Sequence, residues 1–438
     1  MHSPVSKNSD ATKGGQGFWR RYFPDLCELL LGKSGAADPL PEDPKTAKKK
    51  KADLGKKPAR LLSRKNKAML AAVAGVKESE LKDKDKRDSF LKLERAVHNP
   101  ILKPHEHNEW ESQATFNPAA LYADGKVHLV YRAIGKNDVS VLGYASSFNG
   151  KHIHERLGEP MFVSRRKGEP DRSGAPAAIS SGGGWNGGCE DPRLTCIDDI
   201  VYLLYTAFDG WGSIRIALSS ISLDDFLHKR WNWEEPVLIS PPGEIHKNWV
   251  LFPEKIRGKF AILHNVSPGI LIDYFDTLDE LKEGERIIHL KYVKTRRKNV
   301  WDTWVRAAGP PPIKTKYGWL LLYHAIDEKD PDRYKLGAML LDLDDPTKVL
   351  YRAKSPVLEP DACYENEGFK SGVVYSCGAV VIDGELFVYY GGADSVTCVA
   401  AANLELFLKE LMSSGTPKVK GLKKPEGKAY ATGKKIKK

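Results

Sequence analysis

Cysteine is scarce in this chain. Six residues, Cys27, Cys189, Cys196, Cys363, Cys377 and Cys398, are spread over 438 positions with no C-x-x-C pair and no zinc-type spacing to histidine, which argues against a disulfide scaffold and a metal centre. Long apolar runs are missing as well. The longest near the start, "LCELLLG", is too short to span a bilayer, and Met1 to Gly17 is polar, unlike a secretory leader. A soluble, cytoplasmic protein without membrane contact is expected. No P-loop and no Rossmann glycine pattern occurs, which argues against nucleotide chemistry.

Basic residues are plentiful, and their placement matters more than the net charge of +11. Residues 1–100 hold 23 Lys/Arg against 13 Asp/Glu, and residues 413–438 hold nine lysines against one glutamate. The remaining body, 101–412, is therefore net acidic by about seven charges. A nucleic-acid partner would rest on the tails alone, and the acidic body argues against it.

The chain divides accordingly. Residues 1–58 carry the run "KTAKKKKADLGKK", which repels itself and reads as a disordered basic segment. Residues 59–99 read as a helical arm, residues 100–412 as the folded domain, and residues 413–438 as a disordered lysine-rich tail. The arm is compatible with a homo-oligomer, but no residue selects one.

The body repeats. Five apolar segments, "HLVYRA", "YLLYTA", "FAILHN", "LLLYHA" and "LFVYYG", carry marker residues Tyr131, Tyr205, His264, Tyr323 and Tyr389 at gaps of 74, 59, 59 and 66 residues. Four are followed by a second strand rich in small residues: "VLGYASS", "IRIALSS", "YKLGAMLLD" and "TCVAAAN". The turns "ADGK" and "IDGE" precede the first and last, where a hairpin needs residues tolerant of positive φ. Short strands repeating every ~60 residues suit the four-stranded blade of a β-propeller. An all-β, five-bladed propeller is expected. In it the residues after the markers, Arg132, Thr206, Asn265, His324 and Tyr390, form one polar ring around a funnel suited to a polar ligand.

Just before the second marker lies "GGCEDPRLT". Pro192 stiffens a turn, Arg193 holds one of the neighbouring carboxylates bidentately, and the other is left to face the funnel. A salt-bridged turn without catalytic duty is the plainer alternative.

Taken together, "FNPAA" (116–120), "CEDPRLT", "LFPEKIRGKFAILH" (251–264), "GPPPIKTKYGWLLLYHA" (309–325), "YKLGAMLLDLDDPTKVLYR" (334–352) and "GAVVIDGELFVYYGGAD" (378–394) resemble glycoside hydrolase family 130, over about residues 110–405. The resemblance implies a five-bladed propeller. It also implies inverting phosphorolysis of β-mannosides in manno-oligosaccharides, with inorganic phosphate as co-substrate, no other cofactor, and release of α-mannose 1-phosphate. A smaller group of the family are β-1,2-mannosidases.

The same resemblance places the catalytic acid at Asp191, which passes its proton to the glycosidic oxygen through a sugar hydroxyl. Phosphate then needs cations, and Lys247, His264, His324 and Arg215 are the candidates. Sugar contacts are expected from Asn117, Arg132, Glu190, Arg193, Trp301, Tyr323, Tyr390 and Asp394, with aromatic faces against C–H surfaces. One departure stands out: the family's phosphorylases follow the third marker histidine with Arg, whereas this chain has Asn265. A hydrolase would need a second carboxylate to activate water, and Glu254 in "FPEK" and Asp302 in "WDTW" are its candidates. A silent carbohydrate-binding propeller is the remaining alternative, and the intact EDPR block argues against it. Linkage, acceptor sugar and oligomeric state are not legible.

Overall fold

The computed structural model describes residues 91–163, 188–208, 214–282 and 297–414. The readings for residues 1–90, for the loop 164–187 and for the tail beyond 414 lie outside the described residues.

After a short first strand, β1 (Glu94–Arg95), the strands fall into five consecutive antiparallel groups. The first comprises β2 (Ala114–Ala123), β3 (Lys126–Ile134), β4 (Ser140–Ser147) and β5 (Glu155–Arg156). The second comprises β6 (Gly188–Ile197), β7 (Ile200–Phe208), β8 (Ile214–Ser222) and β9 (Val237–Leu238). The third is β10 (Val250–Leu251), β11 (Phe260–Asn265) and β12 (Leu271–Phe275). The fourth is β13 (Trp304–Ala308), β14 (Ile313–Thr315), β15 (Gly318–Asp327), β16 (Asp330–Leu341) and β17 (Val349–Arg352). The fifth is β18 (Val374–Ile382), β19 (Glu385–Gly392) and β20 (Val396–Asn403), with β1 added at its edge through Glu94 to Ala401.

Residues 91–99 thus correct the expected arm. They are not helical; Leu91 and Leu93 are buried and β1 belongs to the last sheet.

In sheet order, all five marker segments lie on the second strand of their group and the four small-residue segments on the third, with β14 off that path in the fourth group. The reason for their unbroken apolar character is that both faces of these strands are covered. On β15, Leu320 and Leu322 enter a core shared with the fifth group, while Leu321, Tyr323 and Ala325 enter one shared with the third. Three more cores follow the same rule. One joins the first and second groups through Val130 and Leu203, one the second and third through Leu204 and Ile262, and one the first and fifth through Leu129 and Phe387. Each such side chain removed from water contributes roughly 1.5–3 kcal/mol.

The hairpins "ADGK" and "IDGE" form as expected, with Asp124 and Asp383 at φ +47° and +48° and the following glycines at +69° and +80°. A final helix, Leu404–Ser414, is capped by Asn403 Oδ1, which accepts from the Leu406 N–H at 3.0 Å, and buries Phe407, Leu408 and Leu411 over the fifth group.

The first and second groups meet at a single parallel bridge, Ser140 to Gly188. Glycine is required here: φ is +111°, and a Cβ would stand 2.4 Å from the Ser140 carbonyl oxygen. That contact sets where β6, and with it the EDPR block, begins.

Candidate active site

The EDPR block is not a turn, as its composition suggests, but a bulged strand. On β6, Glu190 pairs Thr206 and Arg193 pairs Leu204, so Asp191 and Pro192 oppose one residue on β7. Asp191 takes φ +50°, a conformation that asparagine and aspartate tolerate better than other side chains. Proline adds no cost because the ladder is broken there. The same device stands on β2, where the register slips between Phe116 and Ala119 and Asn117, followed by Pro118, takes φ +49°. The two bulges turn their side chains toward each other, and Asn117 Nδ2 donates to Asp191 Oδ1 at 2.8 Å. Bulges of this kind re-aim side chains beside functional sites. Two further inner strands slip in the same way, β13 around Arg306 and β18 around Cys377.

Charge gathers at this pair. Arg132 lies 2.8 Å from Glu190 and 3.5 Å from Asp191, and its Nε donates to Ser140 Oγ at 3.0 Å. Lys247 closes on the other oxygen of Glu190 at 3.0 Å. Glu190 therefore pairs with Arg132 and Lys247, not with Arg193 as its spacing suggests. Arg193 donates to the backbone oxygens of Asp191 at 2.7 Å and of Gly309 at 3.3 Å, reaching from the second group to the fourth. Burial alone would push the Asp191 carboxyl up. The charges of Arg132, Arg193 and Lys247, with the Asn117 hydrogen bond, outweigh it and hold the group below the usual carboxylate range. Half-buried Asp394 behaves oppositely: burial pushes it up, Lys370 opposes, and the nearby Asp191 charge adds to the rise.

Of the expected phosphate cations, Lys247 alone stands in this cluster as a charge. His324 is fully buried, accepts the Ser376 N–H at Nε2 (2.9 Å) and stacks on Tyr375 at 4.0 Å. Burial first, then Arg193, lowers it to about 3, so it is a neutral ring with its proton on Nδ1. His264 packs on Trp249 and is lowered to about 4 by burial and by His246. Arg215 is spent on the carbonyls of Ser240 and Leu238. Asn265, which stands where Arg was expected, donates to the carbonyls of Ser267 and Gly269 and holds its own turn.

Several expected residues lie elsewhere. Asp302 is 1% exposed and accepts from the Tyr323 hydroxyl at 2.7 Å and from Arg352 Nε at 2.7 Å, with Arg297 as a further partner. It is a buried brace of the fourth group. Trp301 lies nearly parallel over Tyr323, at 6.2 Å and 26°, and offers no free platform in company with that ring. Tyr390 lies in the core shared by the fourth and fifth groups and donates to Glu365 at 2.7 Å. Glu254 is exposed and pairs with Lys314. Neither proposed hydrolase carboxylate reaches the cluster.

The displaced residues follow a pattern. Tyr131 donates to Glu111, which also holds Arg156. Tyr323, Asp302 and Arg352 repeat that trio, and Tyr390, Glu365 and Arg95 repeat it again. Part of the aromatic and acidic content of the motifs thus serves the sheets themselves. Sequence reasoning missed Ser140, Tyr375, Arg306 and Lys370. The only available signal was that Arg306 precedes the Ala-Ala-Gly step into "GPPP".

Known proteins resemble this chain in sequence and in fold. A family model described as β-1,4-mannooligosaccharide phosphorylase matches residues 92–413. A 1,2-β-oligomannan phosphorylase of Thermoanaerobacter sp. (strain X514) is 40% identical over 72% of this chain and 99% of its own length. A β-1,2-mannobiose phosphorylase of the same organism is 36% identical over 72% and 99%. Among solved structures, the β-1,2-mannobiose phosphorylase of Listeria innocua in complex with β-1,2-mannobiose superposes with a TM-score of 0.57 at 26% identity, over 73% of this chain and 99% of that one. With the match running from the edge strand β1 to the last helix, and the bulged EDPR strand inside it, the chain belongs to glycoside hydrolase family 130.

Proposed function

We propose that this chain is an inverting β-mannoside phosphorylase on a five-bladed propeller. The five antiparallel groups, with every neighbouring pair sharing a core and the first group sharing one with the last, support the blade count. The observation that carries the reaction is the buried Asp191 between Asn117 and Arg132 with three cations around it.

In this reading a β-linked mannosyl unit fills the funnel, with Asn117, Arg132, Glu190 and Asp394 on its hydroxyls. A phosphate oxygen attacks C1 from the face opposite the leaving group and the glycosidic C–O bond breaks. The leaving oxygen takes a proton that originates on the Asp191 carboxyl and crosses a sugar hydroxyl. The products are α-mannose 1-phosphate and a saccharide one unit shorter. Asp191 is ionised in the free protein at neutral pH, so it must gain its proton as substrate binds. A sugar that excludes water and engages Arg132 drives its pKa upward. Inorganic phosphate is the co-substrate and no other cofactor takes part. The names of the relatives favour a β-1,2 linkage over β-1,4.

Incubation with β-1,2- and β-1,4-mannobiose, with and without phosphate, tests this. Mannose 1-phosphate formed only with phosphate, and reduced 10²–10⁴-fold in Asp191→Asn, is the expected result. Free mannose released without phosphate would overturn phosphorolysis in favour of the β-1,2-mannosidase reading.

A further inference from the structure

The first group carries a cavity that the reaction above does not use. It measures about 350 Å³ and lies between the segment before β2, the β3–β4 turn and the residues just after β5, with Glu109, Trp110, Lys136, Asn137, Gly158 and Glu159 in its lining. That volume falls at the lower end of the range small-ligand sites take, ~300–1,000 Å³. The turn leaves β3 beyond Arg132 and enters β4 at Ser140, and these two side chains are bonded to each other beside Asp191. The cavity therefore sits at the same end of the first group as the EDPR cluster, yet none of its lining residues belongs to that cluster.

Its wall is held rigid. Trp110 lies on a single 3₁₀ turn, Glu109–Glu111. Its ring stacks on Tyr131 at 6.4 Å and 23°, and its indole N–H donates to the Gly158 carbonyl at 2.7 Å. Glu111, fully buried, anchors the turn by accepting from Tyr131, Arg156 and Asn108. Gly135 lets the two segments approach, because a Cβ there would stand 1.8 Å from the Glu109 carbonyl oxygen. The half-buried indole is thus fixed before any ligand arrives, and the rest of its surface lines the cavity.

The polar lining selects the ligand. Lys136 is paired with Glu109 at 3.0 Å. Asn137 accepts the Val139 N–H through Oδ1, which leaves its amide N–H groups without a partner among the described residues. Exposed Glu159 is likewise in no ion pair among the described residues. An indole surface, an amide donor and a carboxylate acceptor suit the C–H face and the hydroxyls of a neutral sugar. Two carboxylates against one ammonium disfavour phosphate or a sugar phosphate.

We propose that this cavity is an accessory saccharide site that holds a short stretch of β-mannan outside the funnel, a choice of sugar that rests on the β-mannoside reading above.

Calorimetric titration of the full chain carrying Asp191→Asn, which suppresses turnover, with β-1,2-mannotetraose tests it. Two saccharides bound per chain are expected. Adding Gly158→Arg should lower the count to one: a Cβ at Gly158 meets nothing within 4 Å, so the long side chain fills the cavity without displacing a neighbour. Trp110→Ala should do the same, and the surviving event at the funnel shows that the variant is folded. One saccharide or none per chain before the second substitution, or two after either, overturns the accessory site. Wild type that releases free mannose without phosphate sinks the phosphorylase reading and leaves this count unchanged.

Discussion

Asn117 and Asp191 stand 74 residues apart in the chain, yet they hold the same position on the first strands of two neighbouring groups: each sits at a bulge, each precedes a proline, each has φ near +50°, and they share a 2.8 Å hydrogen bond. Asp191, the acid of the proposed reaction, is thus placed by backbone irregularity on both sides.

Asn117 carries two duties that substitution can separate. Asn117→Gly keeps the left-handed backbone and loses only the hydrogen bond; Asn117→Ala loses both. Turnover should fall by a similar factor in the two variants, while alanine alone costs a further ~1–2 kcal/mol for the left-handed conformation. Urea unfolding beside mannose 1-phosphate formation measures the split, and equal stability of the variants would show that the bulge is not strained by a Cβ.

Asp302 answers to stability, not turnover. Asp302→Ala leaves Arg352, itself 7% exposed, and the Tyr323 hydroxyl without their buried partner, at a cost of ~3–5 kcal/mol. Denaturation should register that loss. The fraction that stays folded should turn over substrate within a few-fold of wild type, whereas a stable, inactive protein would return Asp302 to the list of catalytic carboxylates.

Acid should weaken the fold through His264. Its folded pKa, lowered to about 4 from 6.5, means that the unfolded chain binds a proton in this window that the native state refuses. The contribution is fully present above pH 6.5 and is lost as pH falls toward 4, at up to ~1.4 kcal/mol per pH unit. The urea midpoint should drop between pH 7 and pH 5, and His264→Gln should drop less. An identical drop in both proteins would assign the acid sensitivity elsewhere.

The middle strands of the groups were legible because burial on both faces leaves an unbroken apolar run such as "YLLYTA" or "LLLYHA". The inner strands were not, because "FNPAALYA" and "GCEDPRLT" place a polar residue and a proline at a bulge, which looks like a turn in one dimension. Asp191 and its neighbours were found through a motif, while the partners of Glu190 were misassigned. Arg132 and Lys247 lie 58 and 57 residues away from it, and nearest-neighbour spacing favoured Arg193. Trp301, Tyr323, Tyr390 and Asp302 looked functional for an understandable reason: stacked rings and paired charges inside a sheet have the same composition as a sugar site. Lys370 escaped notice because a lone charge in a loop reads as solvent-facing.

The short strand β1 has a consequence for how the chain is made. Glu94 and Arg95 pair only with Ala401 and Ala400, and Arg95 closes its ion pair on Glu365. A ribosome has therefore delivered some three hundred further residues before the first strand finds its neighbour. The first strand of the domain waits for the last, and the two seal the final seam together.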